Sequence, residues 1–336
     1  MKSLSMEEGS CVNLIEKVFA TICGISSKSA FGRKHKGQLE AIMSVFEMIS
    51  NSAKQVYVCQ LFPSWKWLHV ITGISRRTHE MCREVDLVLE NIINGEEGKE
   101  EEEEENCLLS TLLNMKDQGD LTINQVKAVM LDMITAGIDT PPTTIEWAMA
   151  EMKNPRVMEK AKEEVRQVFR SKGYFNENVL EKLKYLKAII KETLRLHPPA
   201  PFMAPRECSQ ICDISGYTIP AGTQVLVNVW AIGRDSNYWG TSAEEFVPER
   251  FLNSPIDYKG SYFEYIPFGF GKRICPGMLF GVAIVELVLA NLLCHFDWEL
   301  PCGTTSQTLD MTEYISSTLR MKNNLILVPI SYNCVT

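Results

Sequence analysis

The amino-acid sequence predicts a mainly α-helical fold with a small β portion, and three observations carry that expectation. Apolar residues recur at steps of three and four over most of the first two hundred positions, as in "EVDLVLENII" (84–93) and "KAIIKETLRLH" (187–197). After "HPPAP" (197–201) the period changes, and "ISGYTIPAGTQVLVNVW" (214–230) reads as short strands around two glycine turns. Finally, "GMLFGVAIVELVLANLLCHF" (277–296) is almost wholly apolar yet holds Glu286 at its centre. A carboxylate at that depth is expensive in lipid, so this run predicts a helix buried in protein.

Taken in order, the first hundred residues read as amphipathic helices, one over "GQLEAIMSVFEMI" (37–49) and one over 84–93. The run "GEEGKEEEEEEN" (95–106) interrupts them; its consecutive glutamates repel one another, which predicts an acidic, solvated surface loop. A long helix should start at "TINQ", where Thr122 and Gln125 stand at capping-box spacing, and run through "AGIDT" to "IEWAMAEM". Pro141 and Pro142 lie inside it. An interior proline costs about 3 kcal/mol and disfavours helical geometry in the residue before it, so strain is expected at Thr140, eased by the Gly137 carbonyl that Pro141 frees. Further helices follow over "PRVMEKAKEEVRQVF" (155–169) and within 178–197, then turns at Ser215-Gly216 and Ala221-Gly222. There is no internal repeat.

Bulk properties narrow the function. A chain of 336 residues, 45% hydrophobic, can bury a large core and is expected to form one domain over 1–336. A net charge of −8 and a pI near 5.4 argue against nucleic-acid binding, which needs clustered Lys and Arg. Eleven cysteines without a secretory signal point to a reducing compartment. Only Cys208 and Cys212 approach zinc-ligand spacing, and no second pair accompanies them. The N-terminal "MKSLSMEEGS" shows neither a cleavable signal nor an anchor.

Four local features bear on chemistry. In "FGFGKRICPG" (268–277), Gly269, Gly271 and Gly277 let a backbone approach a flat ligand closely beside Cys275. Lys272, Arg273 and the start of the helix after Gly277 favour a thiolate there, and a thiolate so placed can ligate iron. Alone, such a cysteine reads as a buried structural residue beside a turn. In "KETLR" (191–195), Glu192 and Arg195 share one helix face; by itself this spacing is an ordinary ion pair of about 0.3 kcal/mol. Arg250 of "PERF" (248–251) could reach the same carboxylate, and a buried Glu between two Arg must be fully satisfied to be tolerated. In "AGIDT" (136–140), a mid-helix Gly costs about 1 kcal/mol relative to Ala, and making room for a ligand against the helix would account for it.

These motifs, in this order and spacing, resemble the haem-binding signature and the other hallmarks of the cytochrome P-450 superfamily. "TIEWAMAE", "LKYLKAIIKETLRLHPPAP", "WAIGRD", "FEYIPFG" and "NLLCHFDWELP" further resemble its plant A-type branch, in particular the sesquiterpene oxidases. The resemblance implies a cytochrome P-450 fold lacking its N-terminal part. It also implies a monooxygenase that inserts one oxygen atom from O2 into a lipophilic, terpenoid-like plant metabolite, with haem b as cofactor and electrons from NADPH through a reductase partner. Residue by residue, it implies Cys275 as the axial ligand of the haem iron and Arg273 and Arg206 as partners of the haem propionates. Phe268 would pack near the sulfur. Asp139 and Thr140 would deliver protons, and Ala136 and Gly137 would leave the groove for dioxygen. Glu192, Arg195 and Arg250 would be structural. Met133, Ile134, Ala200, Phe202, Met203 and Ile315 would line an apolar substrate pocket. A monomer is expected. Members of this branch sit on the cytosolic face of the endoplasmic reticulum, whereas this sequence, with no anchor evident, is expected to be cytosolic or peripherally membrane-associated. The alternative is a truncated, catalytically silent relative that binds haem or a partner weakly.

Overall fold

The computed structural model describes residues 4, 7–32, 42–45, 74–94 and 107–333. The principal helices are α1 (Leu14–Phe31), α2 (Ile74–Asn94), α3 (Leu108–Asp117), α4 (Ile123–Glu151), α5 (Pro155–Lys172), α6 (Lys184–Leu196) and α7 (Met278–His295). The strands are short: β1 (Val12–Asn13), β2 (Arg206–Glu207), β3 (Cys212–Ile214), β4 (Tyr217–Ile219), β5 (Gln224–Val225), β6 (Phe296–Glu299), β7 (Glu313–Ile315), β8 (Leu319–Met321) and β9 (Ile326–Ser331). The fold is thus mainly helical with small sheets, as the hydrophobic periods predict. Positions 42–45 are helical, and the rest of the helix expected over 37–49 lies outside the described residues, as does the acidic loop at 95–106. The chain divides into two compact units, Val18–Asp139 and the remainder, Met1–Lys17 with Thr140–Thr336.

In the unit Val18–Asp139, α2, α3 and the first part of α4 bury a common apolar cluster that includes Val85, Leu89, Ile92, Leu109, Leu112, Val126, Met130 and Ile138. The capping box at the start of α4 is formed: the Thr122 amide donates to Gln125 Oε1 at 2.8 Å, and the Gln125 amide donates to Thr122 Oγ1 at 3.4 Å. At the head of α3 the Cys107 sulfur takes the same role, accepting from the Ser110 amide while Ser110 Oγ accepts from the Cys107 amide. Lys127 reaches across to α2 and pairs with Asp86 at 2.9 Å.

The other unit packs α5, α6 and α7 together beside the sheet β1-β9-β6, in which β9 pairs antiparallel with both neighbours. Helix α5 starts on an Asn154 cap with Pro155 in its first turn and ends on Gly173 at φ 76. It supplies what α6 lacks, because the N-cap Leu183 has no side-chain acceptor; instead the Glu164 carboxylate receives the Tyr185 and Leu186 amides at 2.8 and 3.0 Å. Ser215 and Gly216, both at positive φ, turn β3 into β4, and Gly222 at φ 79 turns the chain toward β5. Among the described residues, α7 is the one helix long and apolar enough to cross a membrane. Ten of its residues are buried here, and Glu286 pairs with Lys187 of α6 at 3.3 Å while burial pushes its carboxyl above the ordinary range.

Helix α4 runs unbroken from Ile123 to Glu151 with Pro141 and Pro142 inside it, so Thr140 is helical despite the proline that follows. Two hydrogen bonds are forfeited, those to the carbonyls of Gly137 and Ile138. The loss is spread rather than concentrated. Ser26 Oγ makes a long 3.5 Å contact with the Gly137 carbonyl, Thr144 Oγ1 donates to the Thr140 carbonyl at 3.0 Å, and every residue from Pro141 to Ala150 is buried. Tertiary packing therefore holds the helical path that local preference opposes.

Candidate active site

The segment Pro267–Gly277 folds back on itself around Cys275. The Cys275 amide donates to the Phe268 carbonyl at 2.9 Å, Gly269 donates to Ile266 at 3.0 Å, and a short 3-10 turn, Gly271–Arg273, lifts the chain between them. Gly269 and Gly271 sit at φ 79 and 66, which residues with a Cβ rarely adopt, and this is why glycine occupies both corners. Gly277 then opens α7, and a Cβ there would lie 4.0 Å from Cys275 Sγ. The sulfur is half-buried, Phe268 packs edge-on against Tyr258, and Lys272 and Arg273 point into solvent. The result is a thiol on a rigid turn at the mouth of a helix, flanked by backbone where side chains would otherwise stand.

The segment leading into that turn is fastened to a helix that carries a fully hydrogen-bonded charge cluster. Arg195 grips both oxygens of Glu192, Nε to Oε2 and Nη2 to Oε1, each at 2.8 Å, and both residues are essentially without exposure. Arg195 also donates to the carbonyls of Gly233, Ala243 and Glu245. Arg250 reaches Glu192 Oε1 through Nε at 3.1 Å and donates to the Trp239 and Ser242 carbonyls. The Val247 amide closes the set on Glu192 at 2.8 Å. Every charge here is met by an opposite charge or a carbonyl, the condition under which a buried carboxylate between two guanidiniums holds a fold in register. Tyr265, fully buried, donates to the Lys191 carbonyl at 2.8 Å and so fastens the segment leading into the Cys275 turn to α6.

The remaining candidates of this unit fall on two strips. Ala200, Phe202 and Met203 follow α6; Ala200 and Phe202 are exposed, and Met203 holds an uncommon φ of 49. Met203 Sδ would lie 3.9 Å from a Cβ at Gly269, so this strip reaches the Cys275 turn. Half-buried Arg206 lies on β2, opposite Val225. Ile315 ends β7 and is exposed, beside exposed Tyr314. Thr140 begins the unit within α4 and is half-buried. In the other unit, along the same helix, Asp139 is buried, Met133 and Gly137 are half-buried and Ala136 is exposed. Among the described residues, a Cβ at Gly137 would touch only Ser26 Oγ, at 3.9 Å. Ile134 is packed into the apolar cluster of that unit, so of the two candidates Met133 and Ile134 only the former is open.

Three features of this region were not expected from sequence. His197 caps α6, stacks on Trp147 of α4 with ring centroids 3.9 Å apart, and sets one ring nitrogen 2.8 Å from Glu151 and the other 3.0 Å from Glu313. Glu313 also accepts from Trp230 and Arg234, and although burial alone would raise its carboxyl, His197 and Arg234 hold it below the ordinary range. Trp147 donates to the Leu319 carbonyl at 2.8 Å, and the Leu319 amide donates to the Pro199 carbonyl at 3.0 Å. The clasp thereby joins α4, the β7-β8 hairpin and the strip after α6. Gly233 is the second: a Cβ there would stand 2.2 Å from the Arg195 carbonyl oxygen. Gly260 is the third, its space closed by Ile274, Phe270 and Gly269 at 3.2 to 3.3 Å. Only Gly233 had a visible signal, as the glycine of "WAIGRD" between two helical turns.

Comparison with known proteins points to one family. A family model described as Cytochrome P450 matches residues 3–328. The chain is 47% identical over 341 residues to desmethyl-deoxy-podophyllotoxin synthase of Sinopodophyllum hexandrum, covering 98% of this chain and 66% of that one. Against tabersonine 16-hydroxylase 2 of Catharanthus roseus the identity is 43%, covering 99% and 68% respectively. Against premnaspirodiene oxygenase of Hyoscyamus muticus it is 43%, covering 96% and 66%. The chain thus spans about two thirds of the length of these curated relatives. A solved zebrafish cytochrome P450 structure with abiraterone superposes with a TM-score of 0.82 over 98% of this chain and 75% of that one, at 21% identity, which speaks to the fold. With a family model over nearly its whole length, relatives above 40% identity and the glycine-cornered cysteine turn backed by the Glu192 cluster, the chain belongs to the cytochrome P450 family.

Proposed function

We propose that this chain is the haem-holding part of a thiolate-ligated monooxygenase that places one oxygen atom from O2 into a lipophilic, terpenoid-like plant metabolite. Haem b is the family's cofactor, and it supplies the activation of dioxygen when bound. The residues present fit it. Cys275 offers a soft sulfur donor on a rigid turn, half-open to its surroundings, and the three glycines around it leave backbone where a Cβ would intrude on a flat group. That turn is the observation that carries the proposal. Cys275 would hold the iron, and the half-buried Arg206 and the exposed Arg273 would each donate to a propionate.

The protein's own part is positioning and proton handling. Thr140 Oγ1 and the Asp139 carboxyl, adjacent on α4, are assigned to hold and pass protons, while the small Ala136 and Gly137 keep the helix surface clear. Phe202, Met203 and Ile315 supply apolar surface for the substrate. Electrons come from NADPH through a reductase, and the working place is the cytosol or, by peripheral association, the membrane face on which the family works. In the test, the chain is loaded with haem and the ferrous carbonyl spectrum is compared between the parent and Cys275→Ala. A thiolate-type Soret band that disappears in the variant supports the assignment; a band unchanged by it overturns the assignment. NADPH-dependent oxidation of candidate sesquiterpenes with a matched reductase then tests the substrate class, and turnover confined to polar compounds would refute it.

A further inference from the structure

Cys208 and Cys212, the pair with near-ligand spacing that no metal reading absorbs, come together in the structure. Their sulfurs lie 3.6 Å apart, and Cys208 Sγ is also 2.9 Å from the Gln210 carbonyl. Among the described residues no group of three or more His, Cys, Asp or Glu could hold a metal, and these two sulfurs face each other. Both are half-exposed, and the residues between them, Ser209, Gln210 and Ile211, are exposed. Each cysteine is held by a separate hairpin. Cys208 extends the β2-β5 ladder, its amide donating to the Thr223 carbonyl at 2.9 Å and its carbonyl accepting from Gly222 at 2.8 Å. Cys212 pairs with Ile219 in the β3-β4 hairpin. The contact is therefore fixed from both sides rather than made by a wandering loop.

We propose that Cys208 and Cys212 form a reversible disulfide, a redox-modification site on the surface of this unit. The oxidant is hydrogen peroxide. Cys208, as thiolate, attacks one peroxide oxygen; an S–O bond forms, the O–O bond breaks, and the departing oxygen leaves as water after taking a proton from solvent. The Cys212 sulfur then attacks the Cys208 sulfenic sulfur, the S–S bond forms, the S–O bond breaks, and a second water leaves carrying the Cys212 proton. Two thiols lose two electrons and one hydrogen peroxide molecule gains them. The hydrogen bond with Cys208 pushes the Cys212 thiol up from its ordinary value, which suits the resolving partner that keeps its proton until the second step. The closed loop is only five residues long, so the bond adds little to stability and is suited to making and breaking rather than to stapling the fold. When closed, it ties the end of the β2-β5 ladder, which bears Arg206 two residues earlier, to the neighbouring hairpin.

Trypsin makes the test direct, because cleavage after Arg206 and Arg234 releases one peptide that contains Cys208 and Cys212 and no other cysteine. The haem-loaded chain is treated with hydrogen peroxide, quenched, alkylated with iodoacetamide, digested and weighed. The expected result is a peptide lighter by two hydrogens and carrying no alkyl group, which takes up two alkyl groups after prior reduction with dithiothreitol. Exposed Cys302, in the same digest, reports the dose, going to sulfinic acid as the pair closes. Cys208→Ser and Cys212→Ser, both at half-exposed positions, should each abolish the bridge and leave the remaining thiol to over-oxidise. The proposal is overturned if the parent peptide keeps two alkylatable thiols at the dose that oxidises Cys302, if its sulfurs go to sulfinic acid without bridging, or if either cysteine bridges to a different peptide.

Discussion

Replacing Gly233 by alanine should be among the most damaging methyl additions available to this fold. The perturbation is small, yet it meets backbone on the other side. The new Cβ would stand 2.2 Å from the Arg195 carbonyl oxygen and 3.2 Å from its carbonyl carbon, and neither atom can rotate away. To regain ordinary contact the two backbones must part by about 1 Å. Gly233 is also an acceptor for Arg195 Nη1, so parting them loosens a charge-assisted bond worth about 1.5–3 kcal/mol inside the Glu192 cluster. Overpacking adds about 1–3 kcal/mol. Together these give a loss of about 3–5 kcal/mol, or about 10 °C in Tm for a unit of this size. Gly281→Ala is the control. It lies within α7, no atom of the described residues stands within 4 Å of its added Cβ, and its φ is not positive, so alanine should raise stability there by up to about 1 kcal/mol. Thermal unfolding of the haem-loaded chain, followed by far-UV circular dichroism and by the Soret band, reads both. A Gly233→Ala melting point within about 2 °C of the parent, or equal losses at the two positions, would refute the reasoning.

Burial pushes the Glu146 carboxyl up to about 7, against the pull of the Leu325 amide at 3.0 Å. A group raised in the folded state stabilises fully below its ordinary 4.5, and that contribution fades as pH climbs through about 7. Glu146→Gln should therefore flatten the fall in stability between about pH 5 and about pH 8 by up to about 3 kcal/mol, checked by urea midpoints across that range; parallel curves would count against it. His197→Ala removes the ring between the half-buried Glu151 and Glu313, of which Glu313 keeps Trp230 and Arg234, so an expected loss of about 1–3 kcal/mol follows that Gln should partly restore; a melting curve unchanged by Ala would show the clasp to be idle. Arg250→Lys keeps the charge but cannot span Glu192, the Trp239 carbonyl and the Ser242 carbonyl at once. A drop of about 2–3 kcal/mol in unfolding free energy is expected, and a silent substitution would argue that one contact suffices.

What could be read from sequence was whatever is local along the chain. The capping box at Thr122, the glycine turns at 215–216 and 222, and the pairing of Glu192 with Arg195 three residues on all depend on neighbours within one turn. The Cys275 turn is also local, closing over the eight residues from Phe268 to Cys275, so its glycines announce it. The clasp at His197 is different. Its carboxylates come from positions 46 residues before and 116 residues after it, and nothing in "LRLHPP" distinguishes a histidine gripped from both sides from one facing water.

Glycines and prolines show the same limit in both directions. Gly233 sits between two helical turns and Gly281 inside α7, yet neither setting in the sequence says that an added Cβ would meet a carbonyl at the first and nothing among the described residues at the second. Pro141 and Pro142 carry a strong local rule against helix, and the structure overrides it because α4 is buried along the stretch that follows. Two forfeited backbone bonds, at about 1 kcal/mol each, stand against burial of Ile145, Trp147, Ala148 and Met149, whose apolar surface contributes several times more. Helix-breaking in a core is thus a comparison of magnitudes, and the side of the comparison that decides it comes from chain far away: Leu319, which receives the Trp147 N–H, and Leu325, whose amide holds Glu146. Those partners arrive more than 170 residues later, so the stability of the α4 path was settled by contacts that no window around the diproline contains.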